Sequence, residues 1–416
     1  MEFAKIFESR KENPQWNTSY PLQPSDWAQY RVHRPLSFTN DKCLSFYLHI
    51  PFCKQLCSFC EYTRIICPDE ATQRHYLESV GKDIAQFKAT YPGILLNGFD
   101  IGGGTPTSLT EECFSLLLDI YDNTIADMQL APGFEPSIEG TFGTLTPSKI
   151  ERIARSGIKR LSLGIQSSSS GVLCTHKRKQ DTPTAMKECI EKARAAGIEK
   201  INLDLMYGLK GQNPETIHKD IELITFLAPQ HVTLYELRTN MIKAKEIPDK
   251  ETLYSQYSIY YAAFREMGYH ARFGQNTFSL DENDEGTSSY LRSRMLNGDA
   301  YKGFGLSAQS MSSDGVSYNI GKNSPAVKEL LQHTAFPEEF TYHLPHDELT
   351  SKYLAIAAYN GSFLTEKIAL SNENIKSAFA FLVQNGLLAV QDGRAFVTPE
   401  GFRHYGALFS MLYAIN

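Results

Sequence analysis

No stretch of this sequence approaches the roughly 18–20 apolar residues that span a membrane. The opening segment MEFAKIFESRKENPQW mixes acids, bases and Asn, and so lacks the apolar run of a secretory signal. Both absences point to the cytoplasm, with no membrane partner. A charge excess is lacking too: 41 Lys and Arg face 47 Asp and Glu, for a net charge of −6. That balance indicates no polyanion-binding surface, so nucleic acid is not an expected partner. Internal repeats and low-complexity tracts are missing as well. What remains is a chain of 416 residues, 42% of them hydrophobic, enough for one large core and a smaller domain.

A disulfide framework is not expected either. Of eight cysteines, Cys53, Cys57 and Cys60 fall within one short loop, too close together for pairing among separated loops. A metal site in a reducing compartment explains that clustering better. Cys43, Cys67, Cys113, Cys174 and Cys189 are scattered and read as free thiols.

From Leu44 onward, runs rich in β-branched and aromatic residues alternate with amphipathic stretches. The strand candidates are LSFYLHI (44–50), LLNGFDI (95–101), PSIEGTF (136–142), RLSLGIQ (160–166), INLDLMY (201–207) and HVTLYEL (231–237). Helical patterns at 72–91, 111–125, 147–157 and 214–227 lie between them. Strand-then-helix repetition predicts a parallel α/β sheet, doubly wound or closed as a barrel. Glu139 and Asp204, polar residues inside apolar strands, favour the mouth of an incomplete (β/α)6 barrel. The expected organisation is an N-terminal arm (1–43), a partial TIM-type barrel (44–275), an irregular extension contributing to a substrate cavity (276–345) and a C-terminal lid (346–416). In the lid two helical segments precede a hairpin turned at Asp392-Gly393, and one last helix follows, a winged-helix-like α+β pattern.

The segment HIPFCKQLCSFCEYT leaves the first strand and places Cys53, Cys57 and Cys60 in a C-x3-C-x2-C loop. Thiolates are the ligands of iron–sulfur clusters, and three of them leave one iron of a [4Fe-4S] cluster open. An open iron can be chelated by the amino and carboxylate groups of S-adenosylmethionine (SAM). Structural zinc would want a fourth Cys or His, and neither His49 nor Cys67 completes a familiar pattern. GGGTPT (102–107) ends the second strand, where glycines permit close approach of a ligand to backbone N–H groups. Glu139, Gln166, Arg178 and Asp204 fall at or just beyond later strand ends, which a barrel would bring to one mouth. That set can bind an ammonium, a carboxylate and ribose hydroxyls.

Taken together, YLHIPFC with its cysteine loop, GGGTPT, SIEGTFGTLTP, SLGIQS, INLDLMYGLKGQ and HVTLYEL resemble the radical SAM family of oxygen-independent coproporphyrinogen III oxidase and its relatives. The resemblance spans roughly residues 44–310. It implies a cluster at the barrel mouth, one SAM and room for a second, and an electron donor such as flavodoxin or ferredoxin. It also implies site roles. Tyr47 would lie beside the cluster and SAM, with Gly103, Gly104 and Thr105 along the amino acid part. Glu139 would meet the amino group, Arg178 the carboxylate, Gln166 and Asp204 the ribose, and Met206 the adenine.

Two departures steer the expected reaction. Coproporphyrinogen oxidases carry a further Cys two residues beyond the loop, where this chain has Tyr62, and the HNxxYW motif of haem-chaperone relatives is absent. The sequence CEYT is similar to the family's class C methyltransferase and cyclopropane-forming branch. On that reading a second SAM donates a methyl or methylene group to an sp2 carbon of a small molecule, with Tyr62 or Glu61 assisting a later proton transfer. The rivals are oxidative decarboxylation of a porphyrinogen and haem binding or trafficking, with His270, His333, His343 and His346 as axial-ligand candidates.

Overall fold

The computed structural model describes residues 2–12, 24–237, 246, 248–321 and 326–413. Its first half alternates β1 (Cys43–Ile50), α1 (Glu70–Thr90), β2 (Leu95–Gly103), α2 (Glu111–Ala126), β3 (Ser137–Gly140), α3 (Pro147–Arg155), β4 (Arg160–Gln166), α4 (Pro183–Ala195), β5 (Lys200–Tyr207), α5 (Pro214–Leu227), β6 (His231–Glu236) and α6 (Lys250–Glu266). Local chemistry marks the helix starts. Thr146, Thr182 and Asn213 cap α3, α4 and α5, each followed by a proline whose fixed φ suits a first helical turn. Gly157 (φ 70°) and Gly197 (φ 97°) then turn the chain out of α3 and α4 into the next strand.

Strands β1 to β6 pair in parallel and in chain order. Helices cover the sheet from outside, and Phe46, Leu48 and Ile50, which share one face of β1, are fully buried. The result is the expected incomplete barrel. No helix among the described residues is long and apolar enough to cross a membrane.

Residues 276–345 hold more regular structure than expected, with five short strands among the described residues. β7 (Thr277–Ser279) runs antiparallel to β6 at one end of the sheet. At the other end β8 (Ala300–Phe304) lies parallel to β1, and β9 (Gln309–Ser312), β10 (Gly315–Asn319) and β11 (Glu338–His343) continue the sheet antiparallel. Their Gly, Ser and Tyr content carries no period, and pairing along an existing sheet edge decides their structure.

The C-terminal part contains α7 (His346–Ala357), β12 (Ser362–Leu364), α8 (Glu373–Gln384), β13 (Leu388–Gln391), β14 (Arg394–Val397) and α9 (Tyr405–Tyr413). β14 pairs with both β12 and β13, and Asp392 and Gly393 take positive φ in the tight turn between β13 and β14. The single last helix expected here is two: a short helix over Pro399–Arg403 ends at His404 (φ −116°), and α9 follows.

Candidate functional site

The cysteine loop is pinned by backbone bonds. Cys53 lies on a two-residue strand paired with Ile65–Ile66, and Gly104 N and Thr105 N donate to Ile50 O (2.7 Å) and Phe52 O (2.8 Å). Arg64 Nη2 donates to Cys57 O at 2.6 Å and Ser58 N to His176 O at 3.1 Å. The glycine run ending β2 is therefore docked against the loop. A Cβ on Gly104 would fall 3.0 Å from Cys53 Sγ, and one on Gly103, whose φ is +114°, would meet the His49 ring at 2.6 Å. Burial pushes the Cys53 thiol up to about 11 and raises Cys60 as well, so metal binding here must displace protons.

Cys53, Cys57 and Cys60 open onto a cavity of about 720 Å3. Gly103, Gly104, Thr105, Glu139, Gln166, Arg178, Asp204 and Met206 line the same space, as do Glu61 and Tyr62. Tyr47 is not among its lining residues: it stacks on Tyr290 with ring centroids 5.5 Å apart. Tyr62 is 63% exposed, which puts it at the cavity's edge.

Each strand end holds its polar residue in a fixed place. Glu139 Oε2 accepts from Gly103 N at 3.1 Å, and loss of bulk water together with neighbouring Asp204 pushes its carboxyl up to about 8. Asp204 accepts from Asn202 Nδ2 (2.8 Å) and Ser162 Oγ (3.1 Å). Gln166 leaves β4 in the left-handed region (φ 65°), an unusual conformation for a non-glycine residue. The following serines are held by buried Asp220 of α5, which accepts from Ser167 Oγ at 3.0 Å and Ser168 Oγ at 2.6 Å. Arg178 donates to Gly164 O and points Nη1 at Cys57 Sγ, 3.6 Å away.

Sequence reasoning missed several residues on this wall. Asp100 of β2 is buried, its Oδ2 accepting from Ser288 Oγ at 2.6 Å, and burial pushes it up to about 7. The signal was present in LLNGFDI, one acid in an apolar strand just before the glycines. Arg160, Asn276, Arg294, Gln309 and Tyr318 also line the cavity, and the last four come from the stretch 276–345 without sequence period. Buried polar atoms without a partner gather here: Asp100 Oδ1, Gln166 Oε1, Arg178 Nε, Gln180 Oε1, Asn276 Oδ1 and Arg294 Nε. Such groups are costly unless satisfied, so this wall suits a polar ligand.

The donor set fits a cluster with SAM beside it. Among the described residues no group of three or more His, Cys, Asp or Glu side chains is arranged to hold a single metal ion. A four-iron cube spreads its thiolates wider than one ion does, so three cysteines around one cavity end suit the cube. The unpartnered amide and guanidinium atoms near the glycine cradle suit SAM's amino acid and ribose groups. His270, His333, His343 and His346, the axial-ligand candidates, are exposed and lie outside the cavity lining.

Comparison with known proteins agrees with this chemistry. The radical SAM superfamily matches residues 47–224. The chain is 25% identical over 376 residues to "Heme chaperone HemW" of Bacillus subtilis (strain 168), covering 86% of this chain and 96% of that protein. It is 29% identical over 274 residues to "Oxygen-independent coproporphyrinogen III oxidase" of Paracoccus denitrificans (strain Pd 1222), covering 60% of this chain and 56% of that protein. Among solved structures, the Escherichia coli coproporphyrinogen III oxidase HemN superposes with a TM-score of 0.75 at 20% identity, covering 96% of this chain and 97% of that one, a likeness of fold.

These relatives overturn the expected methyl or methylene transfer, since they are haem chaperones and coproporphyrinogen oxidases. Tyr62 was the residue that suggested it, and one exposed side chain after the loop does not outweigh the matches along the chain. The proton transfer assigned to Glu61 and Tyr62 belonged to that reaction and goes with it. The chain carries a radical SAM domain, with a [4Fe-4S] cluster and SAM as its implied cofactors and HemN- and HemW-like proteins as its homologues.

Proposed function

We propose that this protein is a radical SAM enzyme acting on a tetrapyrrole, by oxidative decarboxylation of the kind named in its coproporphyrinogen oxidase relatives. One observation carries the reading: the three-cysteine loop opens onto a single cavity of about 720 Å3 whose far reaches are lined by residues outside the SAM ring. There is room for an organic substrate beside the cofactors. When bound, the cluster and SAM supply a hydrogen-abstracting 5′-deoxyadenosyl radical.

The chain's own residues hold and orient. Cys53, Cys57 and Cys60 would ligate the cluster. Gly103, Gly104 and Thr105 would lie along SAM's amino acid part, Glu139 and Arg178 would meet its charged groups, and Gln166 and Asp204 its ribose. Barrel wall and C-terminal helix α7, through Lys352 and Ile356, would exclude water from the substrate. Removing one hydrogen atom from a propionate side chain, releasing CO2 and passing one electron to an external acceptor leaves a vinyl group.

Haem binding and delivery is the second reading, favoured by the HemW alignment that runs over 86% of this chain. Anaerobic incubation of reconstituted protein with SAM and reductant, supplied in parallel with coproporphyrinogen III and with haem, separates the two. Vinyl product with 5′-deoxyadenosine supports decarboxylation. Stoichiometric haem uptake without either product supports delivery, and neither result overturns both.

A further inference from the structure

We infer that Arg294 is the anchor for a substrate carboxylate, and so a specificity-determining residue of the cavity; the inference rests on the reading of that cavity as a tetrapyrrole site. Arg294 lies in the irregular helical turn Arg292–Asn297, which Gly298 ends in the left-handed region (φ 71°). It lines the cavity. Each partner it has is neutral. Nη1 donates to Tyr290 Oη at 3.3 Å and Nη2 to Gln309 Oε1 at 3.4 Å, both long for hydrogen bonds from a charged donor. The Tyr301 ring lies 4.8 Å from the guanidinium carbon, and Nε is buried without a partner.

Several other partly buried cations of this chain have carboxylates, whereas Arg160 and Arg178 on the cavity wall are bonded to neutral groups, Arg160 to Ser137 Oγ and Gly286 O. Arg152 meets Asp119 and Asp122, Lys200 meets Glu135 and Asp284, and Lys302 meets Glu338. Among the described residues Arg294 makes no such pair. A guanidinium held away from bulk water with only neutral acceptors is costly, and an arriving anion relieves that cost. Its planar fork matches a carboxylate through two parallel hydrogen bonds. Gln309, whose Nε2 donates to Tyr318 Oη at 3.2 Å, is positioned beside it.

The surroundings suit the rest of such a ligand. Leu291, Met295 and Ile356 supply apolar surface on the same wall, so the fitted molecule has an apolar body with a peripheral carboxylate. Arg178 stands apart in chemistry, being tied to Gly164 O and directed at Cys57 Sγ. Arg294, held only by long bonds to Tyr290 and Gln309, keeps its charge uncompensated for a substrate while Arg178 serves the cofactor end.

The test uses full-length protein with its cluster reconstituted and SAM present, titrated with coproporphyrin III and with its tetramethyl ester, followed by fluorescence. Wild type should bind the free acid at least about ten-fold more tightly than the ester, from charge-assisted hydrogen bonds. Arg294→Gln should lose that preference while keeping ester affinity, and Arg294→Lys should recover part of it. Iron content and thermal melting check that each variant is folded. Should Arg294→Gln fail to fold, the acid-against-ester comparison in wild type and a Gln309→Leu variant still decide. Equal binding of acid and ester by wild type, or an unchanged preference in Arg294→Gln, overturns the anchor and leaves the tetrapyrrole reading standing. Absence of any tetrapyrrole binding by wild type overturns that reading, and the anchor with it.

Discussion

Replacing Asp100 by Asn should flatten the fall in stability expected of the native chain between mildly acidic and mildly alkaline pH. Asp100 is 8% exposed, with one oxygen bonded to Ser288 Oγ and the other without a partner. Burial pushes its carboxyl from 3.8 up to about 7. A folded-state value above the unfolded one means the native state holds the proton more tightly. That advantage is complete below about pH 4 and is lost as pH rises through about 7. About three pKa units at 1.36 kcal/mol each give an upper bound of about 4 kcal/mol. Water in the cavity brings the expected effect to about 2–3 kcal/mol. Guanidinium denaturation of metal-free protein at about pH 5 and about pH 8.5, with and without Asp100→Asn, measures it. The variant should lose about 2 kcal/mol less than wild type across that range. Glu139, also raised, to about 8, leaves a residual slope. If the two proteins show the same slope, Asp100 is already charged in the fold and the reasoning is wrong.

Other perturbations follow from single contacts. Gly103→Ala places a methyl group 2.6 Å from the His49 ring at a φ of +114°, so it should cost about 1–3 kcal/mol in denaturant melts and weaken SAM binding in calorimetry. Asp220→Ala removes the acceptor shared by Ser167, Ser168 and Tyr260. It should destabilise by about 3 kcal/mol, and SAM affinity should fall as well, because those serines fix the turn carrying Gln166. Unchanged SAM affinity in a folded Asp220→Ala protein would show that Gln166 does not depend on them.

Much of the barrel was legible in the sequence because its strands are buried on both faces and its helices begin at local signals. INLDLMY lies between Lys200 and Gly208 and RLSLGIQ between Lys159 and Ser167, and Asn213-Pro214 announces α5 through side-chain chemistry that needs no tertiary partner. The cysteine loop and the polar strand ends were legible for the same reason: an acid in an apolar strand, such as Asp204, stands out against its neighbours. The stacking partner of Tyr47 was not legible because strand membership does not reveal what packs against a side chain, and Tyr290 lies 243 residues further along the chain. The strands from Ala300 to His343 were missed because Gly303, Ser310 and Gly315 break any apolar period, and an existing sheet edge supplies their pairing. Arg294 comes from the turn just before these strands. The reaction was misread from Tyr62, a residue whose side chain stands largely in solvent.

The most direct test of the account is 5′-deoxyadenosine release by the anaerobically reconstituted protein supplied with SAM, reductant and coproporphyrinogen III, alongside its Cys57→Ala variant. The account predicts about four irons per chain, the number in a [4Fe-4S] cluster, with deoxyadenosine from wild type and loss of both in the variant. A Cys57→Ala protein that kept full iron and went on cleaving SAM would contradict it.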